Sequence, residues 1–148
     1  MNRTPSMQAA HALMLAALCA GLAHAQQTPR LIDPAQAAWF SPPPLPALKA
    51  AWLAGSEAGA GPYLLRVRLA AGGRIPPHTH PDSRYTTVLS GTLYVGFGDA
   101  MDEAQAVAVP AGTVYEAPAG VRHWVWAKDG DVEYQESGVG PTATHLPH

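Results

Sequence analysis

Residues 78–84 read HTHPDSR, with two histidines separated by a single residue. In an extended strand, side chains at i and i+2 project to one face. His78 and His80 therefore aim two imidazoles at one point, the geometry of a metal-binding pair. His123 follows a Pro118-Ala119-Gly120 turn later in the chain and can supply a third nitrogen from a facing strand. Three neutral imidazoles suit zinc, iron, copper or nickel. Each ring would need its second nitrogen oriented by an outer partner. Arg84 stays protonated and has no lone pair to give, so it cannot be a ligand.

From Tyr63 onward, short runs rich in Val, Leu, Tyr, Thr and Trp alternate with glycine-containing turns. The runs are YLLRVRL, YTTVLS, TLYVGF, QAVAVP, TVYEAP, RHWVWA and DVEYQES. Leu65, Val67 and Leu69 alternate with Arg66 and Arg68, the period-two pattern of a strand with one wet face. Many strands at short spacing predict an all-β sandwich or barrel. Upstream, residues 26–62 are rich in Pro, Ala and Gly and read as an N-terminal arm. Asp33-Pro34 predicts a capped short helix to about Trp39. Ser41–Pro46 reads as an extended spacer, and ALKAAWL as a further turn or strand. Trp39, Phe40 and Trp52 are expected to pack this arm onto the domain. Residues 139–148, with His145 and His148, read as a flexible tail able to pick up metal adventitiously.

The spacings can be counted. Gly72, five residues, His78, one, His80, three, Arg84, six, Gly91 is the first series. Gly112, five residues, Pro118, one, Gly120, two, His123, three, Ala127 is the second. Over residues 63–137 the chain resembles the cupin superfamily, whose motifs are G-x5-H-x-H-x3/4-E-x6-G and G-x5-P-x-G-x2-H-x3-N. The resemblance implies a single-domain cupin jelly-roll barrel over residues 63–138. It also implies a lumen site of His78, His80 and His123 for a divalent ion such as iron, zinc, manganese or nickel. Two positions depart from it. Arg84 stands where the family's carboxylate ligand is found, and Ala127 where Asn is usual. A carboxylate from elsewhere, Glu116, Glu133 or Asp82, can be imagined as a replacement.

Arg84 has two readings. It is a surface residue paired with Asp82 or Glu116, or it faces the lumen and grips a substrate carboxylate in bidentate fashion. Three-histidine cupins with such an arginine exist among thiol dioxygenases. The stretch also looks like a group of small exported cupins with H-x-H-P-D-x-R followed by V-x-S-G-T. Tyr94, Tyr115 and Glu116 are further candidates for a substrate pocket. Trp124 and Trp126 share one strand face, opposite His123 and Val125, and read as core or interface.

At 148 residues the chain suits one domain. Residues 1–25 read as a secretory signal peptide: basic Arg3, an apolar HALMLAALCAGL, and Ala23-His24-Ala25 as the cleavage site. Its apolar run is too short for a stable membrane anchor. Removal takes the one cysteine, Cys19, and one of nine basic residues, leaving 8 against 11 acidic, a net charge of −3. No basic stripe points to nucleic acid. The expected protein is periplasmic or secreted, and a homodimer through edge strands and the arm. Three functions stay open: a metal-dependent enzyme such as a dioxygenase or isomerase, a non-enzymatic metal or small-ligand binder, and a structural cupin with an empty pocket.

Overall fold

The computed structural model describes residues 28–147, which from Leu31 onward form one unit. The signal-peptide reading of residues 1–25 and the adventitious reading of His148 lie outside the described residues. Nine strands carry the fold: β1 (Leu48–Ala54), β2 (Gly61–Leu69), β3 (Arg74–His78), β4 (Arg84–Ser90), β5 (Thr92–Phe97), β6 (Val107–Pro110), β7 (Val114–Ala117), β8 (His123–Trp126) and β9 (Val132–Gly140). They form a five-stranded sheet in the order β1-β2-β9-β4-β7 and a four-stranded sheet in the order β3-β8-β5-β6. Every pairing is antiparallel. This is the all-β jelly roll that the strand pattern and the resemblance predict. No helix among the described residues is long and apolar enough to cross a membrane.

The period-two alternation places the core. Val67, Leu69, Val88, Val132 and Tyr134 from the larger sheet meet Ile75, Leu93, Val95, Val109 and Val125 from the smaller one. The apolar face of each strand is thereby removed from water. Alternate residues Arg66, Arg68 and Glu133 point outward and pair at 2.7 and 2.9 Å.

The arm packs onto the domain as expected, whereas the segment read as a flexible tail is tied down by backbone hydrogen bonds. Asp33 caps a 3-10 turn, with its side chain accepting from the Ala35 amide, but the turn covers only Pro34–Gln36. All of the run ALKAAWL except Ala47, a turn residue, lies in β1, the strand alternative of the expectation, paired along β2 in the larger sheet. Phe40 exchanges two backbone hydrogen bonds with Ala50, and Trp39 stacks under Arg68. Strand β9 runs on to Gly140, and beyond it Thr79 and His145 exchange two backbone hydrogen bonds. Residues 142–146 therefore form a strap across one end of the barrel rather than a loose tail.

Candidate metal centre

His78 ends β3 and lies directly opposite His123 at the start of β8. The register shifts between Ile75 and His78, where Pro76 and Pro77 have no N–H for the ladder. Past the strand the chain stays extended, tied by the Thr79–His145 bridge and by the Gly120 amide donating to the His80 carbonyl. His80 thus returns to the face of His78. The three rings gather with centroids 4.3, 4.8 and 5.1 Å apart, all buried. One ring nitrogen from each lies within 4.8 Å of the others.

The outer nitrogens are anchored to backbone. Nδ1 of His78 lies 2.8 Å from the Pro76 carbonyl, Nδ1 of His80 2.8 Å from that of Ala143, and Nδ1 of His123 3.1 Å from that of Val121. A carbonyl only accepts, so each Nδ1 carries the proton and each Nε2 keeps its lone pair. Nε2 of His80 is buried with no hydrogen-bond partner, a costly state that a bound cation relieves. Burial holds His78 down at about 4, with His123 and Arg84 adding to the effect. Burial and then the Arg84 charge hold His80 at about 2. Burial also lowers His123. All three are neutral at pH 7, the form that ligates. The donor set fits a divalent ion, and each ligand is held in orientation by a main-chain carbonyl.

The facing sheet contributes a polar network. Arg84, Thr86 and Val88 point inward from β4, and Tyr134 and Glu136 from β9. Arg84 is 3% exposed and flanked in register by the small residues Ala117 and Gly138. Its Nη1 donates to Glu136 at 2.6 Å; its Nη2 donates to Thr142 at 2.5 Å and Asp82 at 3.4 Å. Asp82 also accepts from the Tyr63 hydroxyl at 2.6 Å and from Thr142. Gly138 makes room for this: a Cβ there would lie 2.5 Å from the Tyr63 oxygen and 2.8 Å from Asp82. Burial alone would lower Arg84, but Glu136, Tyr63 and Asp82 outweigh it and raise its pKa. Burial would raise Asp82, yet hydrogen bonds from Thr142 and Tyr63 and the Arg84 charge hold it low.

Between the sheets lies a cavity of about 300 Å³. His78, His80, Arg84 and Glu136 stand on its wall with the apolar side chains of Phe40, Leu45, Trp52, Leu65 and Tyr134. Thr144 and Leu146 of the strap complete it.

A family model described as the cupin domain matches residues 65–135. The chain belongs to the cupin superfamily. Germin-like protein 3-1 of Oryza sativa subsp. japonica is 37% identical over 81 residues, 54% of this chain and 36% of that protein. Germin-like protein subfamily 2 member 4 of Arabidopsis thaliana is 35% identical over 88 residues, 59% of this chain and 39% of that protein. The chain thus spans well under half the length of these curated relatives. Among solved structures, the polyketide cyclase RemF from Streptomyces resistomycificus superposes with a TM-score of 0.68 at 13% identity, covering 82% of this chain and 87% of that one. DMSP lyase DddQ from Ruegeria pomeroyi DSS-3 gives 0.63 at 18% identity, covering 76% and 61%. At these identities the likeness is one of fold.

Several site expectations from sequence need correction. Within this cupin barrel Arg84 faces the lumen, so the surface reading fails, and it pairs with Asp82 and Glu136 rather than Glu116. Glu116 is exposed on the outer face of β7, opposite Tyr85, and lines no part of the cavity. Glu133 is held by Arg66 and Arg68 on the outer face. Asp82 belongs to the arginine network and is not among the residues converging with the histidines. Tyr94 alternates with the core residues Leu93 and Val95, so it points outward, where its hydroxyl bonds Asp129 at 2.5 Å. Tyr115 faces inward opposite Thr86 but packs against the core rather than the cavity. Glu136, Tyr63 and Thr142 were not singled out from sequence.

Proposed function

We propose that this cupin is an exported metal-binding protein that holds one divalent cation through His78, His80 and His123 and takes a small molecule into the adjoining cavity. The observation that carries the reading is the pinning of three Nδ1 atoms by the carbonyls of Pro76, Ala143 and Val121, which leaves three Nε2 lone pairs converging in a buried space. A divalent ion bound by three imidazoles supplies a Lewis acid with coordination positions left for water or ligand. The chain's own residues hold the ligand nitrogens neutral and oriented. Burial strips water from the site, and Arg84 balances the Glu136 and Asp82 carboxylates. An iron that reacts with oxygen would place the protein among dioxygenases; zinc, nickel or manganese would favour hydrolytic, isomerising or storage roles.

Metal analysis of untagged protein purified from a periplasmic extract without added metal tests this. One divalent ion per chain, lost in His78→Ala and His123→Ala, is the expected result. Absence of stoichiometric metal, with no loss of thermal stability in either variant, refutes it. Export is supported by the composition of residues 1–25, and mass spectrometry should find the mature chain beginning at Gln26. The proposal includes a homodimer, supported by the sheet-edge strand β7 and the exposed Tyr85, Leu89 and Val114 around it. Monomeric behaviour at micromolar concentration in size-exclusion chromatography contradicts that part.

A further inference from the structure

The polar wall of the cavity is arranged to receive a hydrogen-bond donor. Glu136 is 7% exposed, and its Oε2 accepts from Arg84. Its Oε1 has no protein hydrogen-bond partner among the described residues, and Glu136 lines the cavity. Glu136 stands outside the histidine cluster, and a carboxylate oxygen only accepts, so an organic ligand that completes it must bring an O–H or N–H.

Arg84, by contrast, has little left to offer. Both terminal nitrogens already hold protein acceptors, Glu136 on one and Thr142 and Asp82 on the other. Its Nε is buried without a partner. The planar two-point edge that a ligand carboxylate needs is therefore taken. A further anion would be a third carboxylate around one guanidinium and would stand against Glu136 in a poorly hydrated space. Of the remaining walls, Phe40, Leu45, Trp52 and Leu65 reward apolar surface, and Glu57 adds a further carboxylate.

We propose that the cavity selects a small, neutral, largely apolar molecule carrying one hydroxyl or N–H, which it presents to Glu136 Oε1, and that it disfavours carboxylates. Glu136 is then a specificity-determining residue reached from β9. Arg84 is a positioning residue that holds the Glu136 carboxylate in place and does not grip substrate. The inference rests on the reading of this cavity as a ligand site.

Three probes sharing one ring system separate the alternatives: 2-naphthol, 2-methoxynaphthalene and 2-naphthoate. Each is titrated at pH 7 into the protein as purified with its metal, followed by calorimetry and by fluorescence of Trp52 on the cavity wall. The expected order places naphthol ahead of both others by about tenfold or more, as for a hydrogen bond to a charged acceptor. In Glu136→Gln that margin should collapse and naphthoate should gain. Should the variant fail to fold, the ranking on the wild-type protein decides alone. Naphthoate equal to or tighter than naphthol, or methoxynaphthalene as tight as naphthol, overturns the inference and leaves the ligand-site reading standing. Binding of none of the three overturns the ligand-site reading, and the inference with it.

Discussion

Replacing Arg84 with methionine keeps much of the side-chain volume and removes the charge. In the folded protein the guanidinium is 3% exposed, and the Glu136 and Asp82 side chains it pairs with are 10% and 9% exposed. The two carboxylates do not suffer equally. Asp82 keeps the hydroxyls of Tyr63 and Thr142, whereas Glu136 loses the one protein donor it has among the described residues. Breaking a buried pair from one side costs about 3–5 kcal/mol, because an uncompensated charge stays behind. With one of two carboxylates still satisfied, the lower end applies, about 3 kcal/mol. For a domain of this size that lowers Tm by about 10–15 °C. Urea unfolding of the metal-free protein, followed by tryptophan fluorescence, measures it. Adding Glu136→Leu to Arg84→Met removes the stranded charge and should recover at least half of the loss. A single variant costing less than about 1 kcal/mol would refute the claim that the pair is a structural unit. A double variant no better than the single would place the cost in packing rather than charge.

Other outcomes follow from the same geometry. At a metal concentration 100 times Kd, wild-type protein gains about 2.7 kcal/mol from a divalent ion; His78→Ala and His123→Ala should gain none in thermal melts, and an equal shift in either would contradict the ligand set. Burial holds His78 at about 4 and His80 at about 2, below an ordinary imidazole near 6.5. The unfolded chain therefore takes up protons first, and metal-free stability, complete above pH ~6.5, falls through the window down to about 4 by roughly 1.4 kcal/mol per pH unit for each histidine. Flat stability between pH 7 and 5 would contradict this. Deleting residues 142–147 removes the Ala143 carbonyl from His80 and should weaken metal affinity about 10- to 100-fold while a saturating ion still binds, as read by competition with a chelating dye. Gly96→Ala places a Cβ 2.1 Å from the Trp124 ring; it should cost about 1–3 kcal/mol in denaturant melts, and a neutral result would mean the ring moves aside freely.

The histidines were legible because strand geometry acts within a few residues: His78 and His80 share a face by parity, and His123 follows a turn at fixed spacing. Parity would also have reached Glu136. It alternates with Val132 and Tyr134, both core residues, which places it inward and Glu133 outward. The same rule sends Tyr94 outward beside Leu93 and Val95. What no local pattern contains is adjacency. That β9 lies beside β4, so that Glu136 can meet Arg84, is set by the order of strands in the sheet. The strap escaped for a related reason. Residues 141–147 show proline and threonine rather than alternation, and what orders them is hydrogen bonding to Thr79, His80, Asp82 and Arg84.

The carbonyl that orients His80 lies 63 residues downstream of it. During synthesis the HTH segment emerges long before its anchor, so the imidazole turns freely and a metal captured then is held by mobile ligands. Only when strand β9 has joined the larger sheet does the strap arrive and lock the ring. On the metal-binding reading, firm capture of the ion follows closure of the strap. An ion acquired early exchanges readily with the surrounding pool, whereas one present at closure is retained. If the chain is exported and binds metal as proposed, the ion it retains is expected to reflect the compartment in which folding finishes rather than the one in which translation begins.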